Sequence, residues 1–258
     1  MPKKYGMVID LHQCVGCGAC ALGCKNENNT QTRANGQSYN WADFIMKTEG
    51  TFPNTTYTQM PVLCNHCTNA PCVENCPVTP TAMFKADDNT TLHNQDRCIG
   101  CRACQMSCPY SQEELGEGSH NGEDYSVISF NPFKKQTQPA WHDKSVLITG
   151  CTSSGADVSA KVGAIPPDEN KYSSGDYQPV RKAGVVEKCI LCHHLTSNGQ
   201  LPACVDACPA SARIFGDLND PASEIAQALK KHKATRLKVD EGTDPNVFYI
   251  RSYEDPTV

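Results

Sequence analysis

Apolar residues along this chain come in short runs, separated by polar segments and cysteine-rich stretches. Met7-Val8-Ile9, closed by Asp10, reads as a short strand. Ala82-Met83-Phe84-Lys85 and Thr90-Thr91-Leu92-His93, separated by Asp87-Asp88-Asn89, read as a hairpin. Asp220 followed by Pro221 predicts a helix start, as N-cap and first helical residue. Ile225 and Leu229 then form an apolar face, and Lys230, Lys231 and Lys233 suit the negative C-terminal end. Residues 150–180, rich in Gly, Ser, Pro and Asp, predict irregular structure wrapping a surface. No window approaches 18 consecutive apolar residues, and Met1-Pro2-Lys3-Lys4-Tyr5-Gly6 opens no apolar stretch of signal-peptide length. The expectation is a chain that neither spans a membrane nor carries its own export signal.

Composition adds a second constraint. Of the 258 residues, 39% are hydrophobic only because 17 cysteines are counted among them. Without these, about a third of the chain is apolar, which is lean for a core of this size. Disulfide-rich modules are usually shorter and carry even cysteine counts, so an odd 17 in a longer chain argues first for metal. The formal charge of -5, with no basic stripe, excludes nucleic acid as the expected partner.

The cysteines fall into four tetrads: Cys14, Cys17, Cys20, Cys24; Cys64, Cys67, Cys72, Cys76; Cys98, Cys101, Cys104, Cys108; and Cys189, Cys192, Cys204, Cys208. Cys151 stands outside them and reads as a bystander thiol. The first and third tetrads have the spacing C-x2-C-x2-C-x3-C of bacterial ferredoxins. Three thiols at this spacing can curl round one cubane, while the fourth points away and ligates the other cluster of a pair. Each tetrad therefore needs a partner tetrad.

The second and fourth tetrads are stretched, with four residues between Cys67 and Cys72 and eleven between Cys192 and Cys204. Zinc competes for the fourth, since Cys189-x2-Cys192 with Cys204-x3-Cys208 resembles a paired zinc site. The company of the other tetrads favours iron-sulfur. Pro77, Pro109 and Pro209 follow the last cysteine of three tetrads, a position suited to the first turn of a helix. Lys25 departs from that pattern in the first.

Cys64-Asn-His-Cys67, Ala70-Pro-Cys72, Cys98-Ile-Gly-Cys101, Cys108-Pro-Tyr and Cys204-Val-Asp-Ala-Cys208-Pro, in this order, resemble the four-cluster electron-transfer subunit of molybdopterin oxidoreductases of the dimethyl sulfoxide reductase family. The likeness runs from about Tyr5 to Tyr253. Within the family it is nearest to iron-sulfur subunits of respiratory arsenate reductases. Tyr5-Gly-Met-Val-Ile-Asp10, Glu49-Gly-Thr-Phe-Pro53, Val127-Ile-Ser-Phe-Asn131 and Val247-Phe-Tyr-Ile-Arg-Ser252 carry that likeness. Similar subunits serve polysulfide, tetrathionate and dimethyl sulfoxide reductases and catechol dehydroxylases, and the cysteine motifs do not separate these.

The resemblance implies an α+β chain with a duplicated two-cluster ferredoxin-like fold, long loop insertions and a C-terminal helix. It implies four 4Fe-4S clusters. The first would be held by Cys14, Cys17, Cys20 and Cys208, and the second by Cys24, Cys189, Cys192 and Cys204. Cys98, Cys101, Cys104 and Cys76 would hold the third; Cys64, Cys67, Cys72 and Cys108 would hold the fourth. Relatives with tryptophan in the third tetrad hold a three-iron cluster, but Cys101 fills that row here. The implied organisation is a first unit of residues 1–63 plus 181–258, a second of 64–110, and a connecting insertion of 111–180. The first unit would lie nearer a catalytic subunit.

The implied role is a relay of single electrons between a quinol-linked donor and a molybdenum or tungsten bis-pterin catalytic subunit of an anaerobic reductase. A membrane anchor or cytochrome is a further implied partner. A free-standing polyferredoxin, or a relay for formate dehydrogenase or hydrogenase, is the alternative. Location on the extracytoplasmic face of the membrane, by co-export with a signal-bearing partner, is expected, with the cytoplasm as the alternative.

No nucleophile and base pair, phosphate loop or dinucleotide fingerprint occurs, and His12 and His142 are isolated, so no catalytic site of its own is expected. His66, His193 and His194 adjoin ligands, but complete tetrads leave them as surrounding or surface residues rather than Rieske ligands. Four oxidised cores on sixteen thiolates would add about -8 to the formal charge. Lys25, Arg97, Arg102 and Lys188 are candidates to offset it and raise cluster potentials. Ser111 to Tyr125, with Glu113, Glu114, Glu117, Glu123 and Asp124, reads as an inserted, solvated acidic loop.

Overall fold

Strand β1 (Tyr5–Asp10) is the one that Met7-Val8-Ile9 predicts, and its last five residues are buried. Alternation along a strand sends neighbours to opposite faces. Met7 and Ile9 accordingly join the main core, while Val8 packs with Ile225 and Ile250 on the other side. A computed structural model describes residues 2–28, 30, 41–111, 126–131, 143–146, 148–163 and 184–252. His142 and nearly all of the acidic 111–125 loop lie outside them.

After β1 come α1 (Ala19–Asn28) and a hairpin of β2 (Ala42–Thr51) and β3 (Asn54–Leu63). The hairpin runs in register from Ala42 opposite Leu63 to Thr51 opposite Asn54, and its base is buried through Ala42, Phe44, Val62 and Leu63. The middle of the chain supplies α2 (Pro71–Glu74), the paired β4 (Met83–Lys85) and β5 (Thr91–His93), and α3 (Ala103–Ser107). This is the hairpin read from Ala82 to His93.

The second half contributes β6 (Ile128–Phe130), α4 (Gly155–Val162), β7 (Val186–Lys188), α5 (His193–Thr196), α6 (Ala203–Asp206), β8 (Arg213–Asp217), α7 (Glu224–Lys231), β9 (Ala234–Thr235) and β10 (Val247–Ile250). β6 pairs antiparallel with β7, which sets buried Ile128 and Phe130 from the connecting segment into the core. β1 ties the two ends together in a sheet of order β8-β1-β10-β9, antiparallel to β8 and parallel to β10. The class is α+β.

Three expectations change. Pro77, Pro109 and Pro209 do not open helices: α2, α3 and α6 end before them. A proline past a helix C-terminus stops the helix, because it lacks the N–H to continue the ladder. Pro71, in the first turn of α2, is a proline that does open one.

The C-terminal helix begins later than Asp220-Pro221 suggests. Ser223 is the N-cap, its Oγ accepting the Ala226 N–H at 3.2 Å. The Asp220 carboxylate instead closes a turn by accepting the Ala222 N–H at 2.9 Å. Ile225 is fully buried and Leu229 packs beside it, as the apolar face requires.

Finally, residues 150–180 are not all irregular. Ser154 accepts the Asp157 N–H at 3.0 Å and Gly163 turns left-handed at φ 67, capping α4 at both ends. Ser-x-x-Asp was the available signal.

Candidate metal centre

The helices of the cysteine segments pack in two pairs, α1 with α6 and α2 with α3. The first pair is close because Gly23 has no side chain. A Cβ there would meet the Ala207 Cβ at 2.7 Å and the Ala203 carbonyl oxygen at 3.3 Å. Cys20 and Cys24 on α1 are thereby brought to Cys204 on α6 and to Cys208 just beyond it.

Cys14, Cys17, Cys20 and Cys208 line one recess of about 340 Å³, together with Ile9, Phe44, Pro61 and Arg213. Cys76, Cys98, Cys101 and Cys104 line a second of about 290 Å³, with Met83, His93 and Arg102. In a third place, Cys24 lies within electrostatic reach of Cys189, Cys204 and Cys192, all buried. In the fourth, Cys72 neighbours Cys64 and Cys67, and Cys108 neighbours Cys64 and Cys72. Cysteines of different tetrads thus stand beside one another in each of these places. Cys151 is exposed and joins none of these groups.

Burial makes the more deeply placed of these sulfurs hard to ionise. Burial pushes the Cys72 thiol up to about 12, and the charges of Cys64 and Cys67 add to the shift. Cys104 and Cys108 likewise rise to about 12, and Cys67 and Cys192 to about 11, with burial the largest cause for each. Burial also raises Cys24 and Cys189 well above the usual thiol value. A coordinated thiol is deprotonated by the cation that binds it, so such pockets suit a positively charged core.

The surroundings already donate to sulfur. Backbone N–H groups of Ala82, Gly100, Leu191 and Ala212 reach the sulfurs of Cys76, Cys98, Cys189 and Cys208 at 3.3, 3.4, 3.3 and 3.3 Å. The Asn28 amide spans Cys24 and Cys192, at 3.6 Å from each sulfur. Donors aimed at cluster sulfurs favour the reduced, more negative state. Recesses lined by four thiols, with N–H groups donating to sulfur, fit a polynuclear core.

The predicted cations divide. Lys188 is buried, its Nζ donating to the Thr91 and Cys189 carbonyls at 2.6 and 2.5 Å. Arg102 lines the second recess and stacks 3.9 Å over the Phe130 ring. Lys25 and Arg97 reach the carbonyls of Thr30 and Thr81 at 3.4 and 3.5 Å.

Two cations escaped the sequence reading. Arg213 is buried, with NH1 3.8 Å from the Cys204 sulfur and Cys20 also close. Lys85 donates to the Cys67 carbonyl at 2.8 Å, and burial lowers its pKa to about 8. Neither stands beside a cysteine in sequence, so only the fold reveals them.

The three histidines are buried rather than on the surface. His66 Nδ1 accepts the Thr91 N–H at 3.1 Å, while His193 and His194 face Asp88 and Glu27 at 3.4 and 2.7 Å. No helix among the described residues is long and apolar enough to cross a membrane.

Buried thiols gathered from several segments, with N–H groups donating to sulfur, mark an iron-sulfur protein. A 4Fe-4S dicluster domain matches residues 55–123 and 146–218. The arsenate respiratory reductase iron-sulfur subunit of Shewanella sp. strain ANA-3 is 44% identical over 97% of this chain and 97% of its own length. A selenate reductase subunit of Mesobacillus selenatarsenatis is 32% identical, and a tetrathionate reductase subunit of Salmonella typhimurium 30%, each over 96% of this chain and 72% of its own. The chain belongs to the 4Fe-4S dicluster family, among the iron-sulfur electron-transfer subunits of reductases, and is not itself catalytic.

Proposed function

We propose that the chain is a four-cluster wire in a reductase complex. Cys14, Cys17, Cys20 and Cys208 hold one 4Fe-4S cluster; Cys24, Cys189, Cys192 and Cys204 hold the next. Cys64, Cys67, Cys72 and Cys108 hold a third, and Cys76, Cys98, Cys101 and Cys104 the last. The observation that supports this is that cysteines of the first and fourth tetrads, and of the second and third, stand side by side. Each cluster, when bound, takes up and releases one electron with little change in its cage.

Neighbours give the order of the wire. Arg213 lies between Cys20 and Cys204, joining the first two groups. Cys189 is close to Cys64, joining the second to the third, and Cys72 is close to Cys104, joining the third to the last. The protein's work is to fix this spacing, exclude water from the inner groups and set each potential.

A duplicated ferredoxin-like fold is supported by repeated local geometry. Ala82 donates to Cys76 as Ala212 does to Cys208, and Gly100 donates to Cys98 as Leu191 does to Cys189. The sheet that joins β1 to β8 and β10 supports a first unit made from both ends of the chain.

The partner on this reading is a molybdenum or tungsten bis-pterin catalytic subunit, fed by a quinol-linked membrane donor on the extracytoplasmic face. The likeness to arsenate, selenate and tetrathionate reductase subunits supports it. Anaerobic isolation of the native complex tests it. About sixteen irons per chain and a large pterin-bearing partner, reduced substrate appearing with arsenate, polysulfide, sulfoxide or catechol, are expected. A monomer without pterin identifies a free polyferredoxin instead.

A further inference from the structure

The two open recesses repeat each other almost residue by residue. In one, Cys14-Val15-Gly16-Cys17 and Cys20 face Cys208-Pro209 and Ala212-Arg213; in the other, Cys98-Ile99, Cys101 and Cys104 face Cys76-Pro77 and Ala82-Met83. An alanine N–H ends on the cysteine before each proline, at 3.3 Å in both. The next residue opens a strand in both, and here the repeat breaks. β8 opens on Arg213, whereas the equivalent place at the start of β4 is Met83.

Both side chains are buried, Arg213 at 4% exposure and Met83 at 1%. A guanidinium is a far larger investment there than a thioether. Its NH1 lies 3.8 Å from the Cys204 sulfur and 3.5 Å from the Met7 sulfur, and Cys20 is also beside it. One fixed positive charge is therefore shared by the first two groups. The second recess has its own cation in Arg102, but that side chain is only half-buried and lies over Phe130. A charge held away from water acts more strongly on its neighbours than one screened at the surface.

We propose that Arg213 raises the potentials of the first two groups, Cys14/Cys17/Cys20/Cys208 and Cys24/Cys189/Cys192/Cys204, above those they would have with a methionine in its place. The inference rests on the four-cluster reading. Gaining one electron makes a group one unit more negative, and a fixed cation stabilises that state. The electron comes from the adjacent group, which loses one, so each hop balances.

The test is an EPR-monitored redox titration of the anaerobically purified complex, with iron analysis on the same samples. Arg213→Met copies the residue that packs at the equivalent place, and Arg213→Lys keeps the charge. The signal of the first recess is assigned by its change in Cys17→Ser. Arg213→Met is expected to move that signal, or its neighbour's, to lower potential, leave the other two in place and retain iron. Arg213→Lys is expected to stay near the native potentials. Equal shifts in both variants, no shift in either, or loss of iron in both would make Arg213 a packing residue and overturn the proposal. Native protein with far fewer than about sixteen irons defeats the four-cluster reading itself, a result visible before any Arg213 variant is compared.

Discussion

Gly23 lies so close to Ala207 that a side chain cannot stand between them: a Cβ on Gly23 would come within 2.7 Å of the Ala207 Cβ. This contact seats α1 against α6 and brings Cys24 into the group of Cys189, Cys192 and Cys204. Glycine costs helix propensity in α1, so its place there is explained by the approach. Gly23→Ala is expected to push the helices apart at a cost of about 1–3 kcal/mol, as overpacking usually does. Iron analysis and melting temperature check it, and a variant with native iron content and an unchanged or raised melting temperature would refute the argument.

Much of the centre was legible because ligand spacing is a local property. Cys14 to Cys24 and Cys98 to Cys108 declare themselves within eleven residues each. β1 and the β4–β5 hairpin were readable from short apolar runs for the same reason. What the chain hides is partnership between distant segments. Arg213 looks like an ordinary strand residue until β8 is laid against β1, where Met7 and Cys204 surround it.

The long β2–β3 hairpin also escaped notice. Its outer half is exposed on both strands, so no alternation of apolar and polar residues marks it. The late start of α7 has another cause: Asp220 and Ser223 both make good caps, and the side-chain turn at Asp220 decides between them.

Lys188 joins the inner groups. Its ammonium donates to the carbonyls of Thr91 and Cys189 and lies near Cys72, so it serves two neighbouring clusters on the proposed wire. Lys188→Met removes the charge and leaves buried carbonyls short of a donor. A loss of about 1–3 kcal/mol is expected from the orphaned acceptors. A fall in the inner potentials should accompany it, since the reduced state loses its cation. Redox titration separates the two effects: an unchanged set of midpoints alongside lower stability would leave Lys188 a purely structural residue.

Ile225 offers a contrast away from the metal. It is fully buried between α7 and the sheet, against Val8 and Ile250, and its Cγ2 would sit 3.0 Å from a Cβ on Gly216. Ile225→Ala is expected to cost about 2–5 kcal/mol by the lost contacts and the cavity. Because the described residues packed on that face include no cysteine, cluster spectra should remain native at low temperature while the melting temperature falls. Altered spectra in the folded variant would mean that the two faces of the sheet are coupled.

Removal of iron should undo the fold as well as the wire. The core holds buried cysteines beside aliphatic residues, among them Cys20, Cys24, Cys64, Cys72, Cys104, Cys189 and Cys204. On the proposed ligation, the clusters tie residue 14 to 208 and residue 64 to 108, closing loops that the lean aliphatic core alone must otherwise hold. Metal that binds only the folded chain contributes its binding energy to folding. Without it, the released thiolates take up protons near pH 7, because burial holds thiol pKa values far above neutrality, at about 12 for Cys72 and Cys104. Chelation under anaerobic, reducing conditions should therefore consume protons, abolish cooperative melting and open the α1–α6 contact to proteases. An iron-free chain that still melts in one sharp transition near the native temperature would show that the protein core is sufficient without its inorganic cross-links.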